Sequence, residues 1–239
     1  MAIKDSLVSY WRLDESSGNA TDSHGSNTLT NYNTTAYAAG KINNGADFEY
    51  TLNNALEIAD GTQSGLDITS DISFSFWYKP ETTTSGTGIN TFVAKNADDL
   101  SDKAYWLFFN GTGSMILRIS DDGSSTEDYT WTSISFSNGT NYHIVITWKA
   151  STSTANFYID NSSQGSKTGS KTSLNNSAGA FRLGSSSRTT NDYRTDGIID
   201  EFGIWSKELS SAEVSTLYNS GSGLSYPFNS KPGNFFAIM

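Results

Sequence analysis

Apolar residues occur in short runs, many alternating with polar ones, and clusters of Gly, Asn, Asp and Ser separate the runs. Such runs lie at residues 55–59, 72–78, 91–95, 104–109, 115–119, 142–148, 155–160, 180–183 and 197–205. They are rich in β-branched and aromatic residues, and turn formers such as Asp121-Asp-Gly123 and Asn138-Gly139 punctuate them. A period of two in runs this short predicts half-buried β-strands. Many short strands at this spacing predict an all-β sandwich or barrel. One segment changes period. In Ser210-Ser-Ala-Glu-Val-Ser-Thr-Leu-Tyr-Asn219, Glu213 follows Ser210 by three places, and Val214, Leu217 and Tyr218 share a face. That pattern predicts one short helix with a capping box at its start.

Composition narrows the function. The 239 residues carry 15 Lys+Arg against 25 Asp+Glu, a net charge of −10, which disfavours nucleic-acid backbones and anionic membranes. There is no cysteine, so disulfides, thiolate metal sites and cysteine nucleophiles are excluded. No run reaches the roughly 18 apolar residues of a membrane-spanning helix. Residues 1–10 lack the apolar stretch of a secretory leader. A chain made without such a leader can still act outside the cell on a larger particle, and the expected location is extracellular or the surface of a virion, without a signal peptide in this chain.

Several phrases in fixed order carry a resemblance. They are Leu7-Val-Ser-Tyr-Trp-Arg-Leu-Asp-Glu15, Gly40-Lys-Ile-Asn-Asn-Gly-Ala-Asp-Phe48, and the long strand over 66–80 ending in Lys79-Pro80. Tyr142-His-Ile-Val-Ile-Thr-Trp148, Gly197-Ile-Ile-Asp-Glu-Phe-Gly-Ile-Trp205 and the helix phrase from Leu209 follow. Together they resemble the laminin-G-like domain of the concanavalin A-like lectin/glucanase superfamily. The resemblance implies a two-sheet antiparallel jelly roll over 1–228, with 229–239 as a tail. It also implies an optional structural calcium held by Asp200, with Asp14 and Asn44 contributing; Asp47 is the substitute. Calcium requires several hard oxygens, which carboxylates, amides and carbonyls supply.

The superfamily holds both enzymes and binding modules, so the site must decide. A retaining glycosidase needs two carboxylates about 5–5.5 Å apart. The Glu-x-Asp-x-x-Glu pattern of the superfamily's glucanases is absent. Glu127-Asp128 and Asp200-Glu201 are adjacent, so strand alternation sends each pair to opposite faces. His143 reads as a structural strand residue, and Asp98, Asp99 and Asp102 as a solvated hairpin loop. The chain is expected not to be an enzyme.

Sugars stack on aromatic rings and hydrogen-bond to planar polar side chains. Alternation in 105–109 puts Trp106 and Phe108 opposite Tyr105, Leu107 and Phe109, and Arg118 marks the outer face of the next strand. Trp106, Arg118, Tyr129, Trp131, Tyr193 and Arg194 form the candidate glycan surface. The apolar tail residues Phe235, Phe236, Ile238 and Met239 are candidates for contact with further copies or particle subunits. Two readings stay open: a non-catalytic lectin-like domain for glycan binding or adhesion, and a decoration or fibre component of a virus particle assembled through its termini. A carbohydrate-binding fragment of a larger enzyme is a third.

Overall fold

The alternating runs all become strands in a computed structural model, which describes residues 2–81, 88–188 and 193–229. Its fifteen strands are β1 (Leu7–Trp11), β2 (Thr30–Tyr32), β3 (Ala36–Ala39), β4 (Asn44–Phe48), β5 (Ala55–Ile58), β6 (Ile72–Pro80), β7 (Ile89–Asn96), β8 (Lys103–Asn110), β9 (Ser114–Ser120), β10 (Thr126–Trp131), β11 (Tyr142–Lys149), β12 (Thr154–Ile159), β13 (Ser162–Thr168), β14 (Ala180–Leu183) and β15 (Gly197–Trp205). One sheet runs β13-β12-β11-β6-β15-β4-β3, with β1 also paired to β15, and the other runs β10-β9-β8-β7-β14-β5-β2. Every pairing between these strands is antiparallel. This is the expected jelly-roll sandwich.

The core lies between the sheets because each strand turns its alternate apolar residues inward. Phe74 and Phe76 of β6, Phe202 of β15, Phe181 of β14 and Trp11 of β1 are all fully buried there. Trp11 stacks on Phe181 at 5.2 Å, and Phe76 stacks on Phe202 at 5.4 Å. β13 escaped the apolar pattern because it is a polar edge strand, Ser-Ser-Gln-Gly-Ser-Lys-Thr, exposed along most of its length. β2 has only three residues and β4 carries Asn44, Gly45 and Asp47, so neither stands out as an apolar run.

The helix α1 (Ser211–Tyr218) covers the outer face of the larger sheet. Val214 and Leu217 join Leu7, Tyr10, Val145 and Trp205 in a second apolar cluster there. Ser210 caps the helix: its Oγ accepts the Glu213 N–H at 3.3 Å, and the Glu213 carboxylate accepts the Ser210 N–H at 2.9 Å. Ser210→Ala should remove about 1 kcal/mol of stability. A thermal melt should register this as a loss of about 2–4 °C.

Candidate functional site

Cross-strand register aligns one row of side chains across the outer face of the seven-stranded sheet. Glu57 of β5 opposes Arg182 of β14, which opposes Ala94 of β7; Ala94 opposes Trp106 of β8, Trp106 opposes Arg118 of β9, and Arg118 opposes Asp128 of β10. Directly opposed residues project to the same side, so this row is a continuous strip. Arg118 is clamped by Asp128 through two hydrogen bonds of 2.7 Å. Its guanidinium lies 5.4 Å from the ring centres of both Trp106 and Phe108. Trp106 donates its Nε1–H to Thr91 Oγ1 at 3.0 Å, and the Tyr193 ring meets it edge-on at 5.1 Å. Trp106 and Arg118 therefore share one face, as alternation predicted, and Tyr193 joins them there. Trp106 is only 6% exposed, however, because Arg118 and Tyr193 lie against it. The accessible element is the half-buried Arg118 rather than the indole.

Two expected members turn the other way. Tyr129 opposes Leu117 and Trp131 opposes Met115, so both enter the core, and both are buried. The Tyr129 hydroxyl accepts from Trp148 Nε1 at 3.0 Å, and Trp131 Nε1 donates to the Gly165 carbonyl at 3.0 Å. The hairpin register places Asp128 and Thr130 on Arg118's face, and a shift of one residue reverses every assignment on a strand. Arg194 is also buried, and its Nη1 donates to the Tyr50 carbonyl at 3.2 Å.

The open part of this face lies at the other end of the row. A cleft of about 290 Å³ is lined by Asp60, Asp98, Arg182 and Arg188 together with small residues. Arg182 is 1% exposed, and its donors reach Glu57 Oε2 at 3.0 Å, Asp98 Oδ1 at 2.7 Å and the Asn96 carbonyl at 3.2 Å. Arg188 is more open, 3.4 Å from Glu57 and 3.6 Å from Asp98, with its guanidinium 5.5 Å from the Tyr32 ring centre. Asp98 and Asp102 are consequently not a merely solvated loop. Asp102 accepts from Asn175 Nδ2 at 2.6 Å and from the Ala178 N–H at 2.8 Å. Sequence reasoning missed Glu57 and Arg182, although each is a lone charge inside an apolar strand at outward parity.

Asp14, Asn44 and Asp200 meet on the opposite side of the sandwich. Asp200 Oδ2 accepts the N–H groups of Lys41 and Ile42 at 2.7 and 2.8 Å. Asn43 Nδ2 reaches Asp14 Oδ2 at 3.4 Å, and Asn44 Nδ2 donates to the Glu15 carbonyl at 3.1 Å. The 40–44 loop thus ties the N-terminal phrase to β15. Gly40 and Gly45 flank it because a Cβ at Gly40 would lie 2.6 Å from Asp200 Oδ2, and one at Gly45 would lie 3.0 Å from Asp200 Cβ. Asp14 Oδ1, Glu15 Oε2, Asp200 Oδ1 and Glu201 Oε1 are buried without a hydrogen-bond partner.

Asp200 and Glu201 do not point to opposite faces. The pairing of β15 with β6 shifts between Asp200 and Gly203, and Glu201 has φ 52°. This bulge leaves Ile199 and Phe202 in the core and turns both acids outward, Asp200 toward Lys41 and Glu201 toward the Tyr10 hydroxyl at 2.6 Å. Burial raises the Asp200 carboxyl to about 8, with the charges of Glu201 and Asp14 adding to the effect. Burial likewise raises Glu201 to about 7. Asp47 stands apart from this group. With Glu49 and Glu81 it forms the one trio of acids among the described residues that brings one oxygen from each within 4.8 Å of the others.

The tail candidates Phe235, Phe236, Ile238 and Met239 lie outside the described residues. No helix among the described residues is long and apolar enough to cross a membrane.

Comparison with known proteins fits this architecture. No curated protein matches the sequence. Among solved structures, domain 4 of AbnA, a GH43 extracellular arabinanase from Geobacillus stearothermophilus solved with arabinotriose, superposes with a TM-score of 0.66 at 21% identity, over 91% of this chain and 98% of that one. The binding domain of Paraclostridial Mosquitocidal Protein 1 gives 0.66 at 19% identity, over 92% of this chain and 53% of that one. The receptor binding domain of botulinum neurotoxin D gives 0.66 at 15%, over 92% and 54%. The chain spans about half the length of those two structures. These similar structures are mostly binding domains, and at such identities they establish the fold. Residues 49–215 match the Laminin_G_3 family, and the chain therefore belongs to the concanavalin A-like lectin/glucanase superfamily.

Proposed function

We propose that the protein is a non-catalytic, lectin-like domain that binds glycans on the outer face of its seven-stranded sheet. One observation carries this reading: the open cleft where Arg182, Arg188 and Asp98 converge beside Glu57 and the Tyr32 ring. Sugar hydroxyls both donate and accept. A guanidinium beside a carboxylate offers the complementary pair, and an aromatic ring offers a surface for the sugar's C–H face. Arg182 is locked by its bonds to the sheet, so the cleft is preorganised. The expected assembly through the tail rests on residues outside the described structure. The glycan reading is accordingly the one that the geometry favours.

The carboxylates support a binding rather than a hydrolytic role. Asp128 is committed to Arg118, and Glu127 accepts the N–H groups of Ser170 and Lys171 at 2.9 and 3.0 Å. Glu201 is occupied by Tyr10.

The proposal includes a structural calcium at Asp200. Asp14 Oδ1 and Asp200 Oδ1, both buried without a hydrogen-bond partner, are hard donors of the type calcium takes, and the Asn44 side chain with backbone carbonyls would supply the remainder. Bound there, the ion would neutralise the buried acids and fasten the 40–44 loop.

A glycan array followed by calorimetry tests the sugar site. A binding glycan should lose about tenfold or more in affinity with Arg188→Ala. An array without a binder, or affinity unchanged by that substitution, would reject the site.

A further inference from the structure

Strand β2 serves two surfaces. Tyr32 turns to the cleft just described, whereas Asn31 turns to a second one. Here the chain crosses from the edge of one sheet to the edge of the other, since β2 ends the seven-stranded sheet and β3 ends the larger. Asn33 and Thr34, at φ 54° and 57°, make the sharp crossing. Between this crossing and the 16–19 loop lies a cleft of about 470 Å³.

Its walls are held firmly. Asn31 Nδ2 donates to the Gly18 and Thr35 carbonyls at 2.9 and 2.7 Å, and Asn31 Oδ1 accepts the Thr35 N–H at 2.7 Å. Asn19 Oδ1 accepts the Asn31 N–H at 3.0 Å, and the Tyr37 hydroxyl donates to the Gly18 carbonyl at 3.0 Å. Both walls are therefore set before any ligand arrives.

The lining has a definite chemistry. Ser16, Ser17, Asn19, Thr34 and the half-buried Tyr37 line it, and no charged side chain does. Thr35 also lines it at 3% exposure, with a hydroxyl that has no hydrogen-bond partner. β3 reads Ala-Tyr-Ala-Ala, without the lysine or proline that usually guards an edge strand. Glu15 stands near enough that its charge adds to burial in pushing the Tyr37 phenol upward. An anion would meet that field unfavourably.

We propose that this edge cleft is a second saccharide site, separate from the sheet face and selective for neutral sugars. Hydroxyls, amides and one aromatic ring in an uncharged, preset cleft match a neutral polyol and offer no counter-charge to an acidic one. The proposal shares the glycan reading of the domain but not its residues, so the two can fail separately.

Amide NMR of the full chain with arabinotriose, maltotriose and sialyllactose, each at about 10 mM, tests it. At least one neutral trisaccharide should shift the side-chain amides of Asn19 and Asn31 and the backbone amides of residues 34–37. Sialyllactose should leave them in place. Ala36→Asp puts a carboxylate on an exposed lining residue and should abolish these shifts, whereas Arg188→Ala should retain them. The site is overturned if neither neutral probe moves these signals, or if the shifts survive Ala36→Asp. Equal shifts with sialyllactose would overturn the selectivity. Shifts confined to the Arg188 cleft would reject the edge site and leave the sheet-face reading standing.

Discussion

Chelated protein is expected to melt about 5–10 °C below protein saturated with calcium. A ligand that binds only the folded state at a hundred times its Kd adds about 2.7 kcal/mol, and a domain of this size gains about 2–4 °C per kcal/mol. The physical basis is the pair of orphaned carboxylate oxygens on Asp14 and Asp200. Without an ion, the folded protein resists charging Asp200 and Glu201, which burial raises to about 8 and about 7. Their unfolded values lie near 3.8 and 4.5, so between those values and the folded ones the native state holds the extra protons. The contribution of these two groups therefore falls as pH rises from about 4 to about 8. Calcium removes that penalty, so its effect should be larger at pH 8 than at pH 5. Scanning calorimetry with calcium and with chelator at both pH values measures this. Asp200→Asn should blunt the calcium response. Identical melting temperatures with and without chelator would dismiss the metal.

The fold was legible because its information is local. Alternation in Ile72–Pro80, the apolar run at Gly197–Trp205 and the Ser210 capping box state strand and helix without reference to distant residues. The site was legible only where alternation within one strand sufficed, as for Trp106 and Arg118. Tyr129 and Trp131 failed because their face depends on the β9–β10 register, which the turn at residues 121–125 determines. Asp200 and Glu201 failed through a bulge, since one left-handed residue converts opposite faces into the same face. The Arg182–Glu57–Asp98–Arg188 group joins positions up to 131 residues apart, the span from Glu57 to Arg188. No local pattern encodes that convergence, although each outward charge in an apolar strand marked a member of it.

His143 should make the protein acid-sensitive in a way that a single substitution removes. Its ring lies beneath helix α1, 5.1 Å from the Trp77 ring and stacked on Tyr218 at 5.9 Å. Nε2 pairs with Ser75 Oγ at 2.9 Å, and Nδ1 is buried without a partner. Desolvation lowers this imidazole from 6.5 to about 3, because burial disfavours its charged form. The unfolded chain takes up a proton near pH 6.5 and the folded chain only near 3, so the unfolded state binds more protons throughout that interval. Stability from this group is thus complete above about pH 6.5 and is lost as pH falls, at about 1.4 kcal/mol per unit. The accumulated loss approaches the order of 5 kcal/mol at pH 3, comparable with the whole stability of many domains. Urea titrations at pH 7, 5 and 4 should show the wild type losing stability more steeply than His143→Gln, which keeps a polar partner for Ser75. The carboxylates are common to both proteins, so they cancel in the difference. Parallel slopes would mean that His143 is protonated in the native state, and a charged ring beneath Tyr218 would then require an acceptor at Nδ1 other than the ones the fold provides.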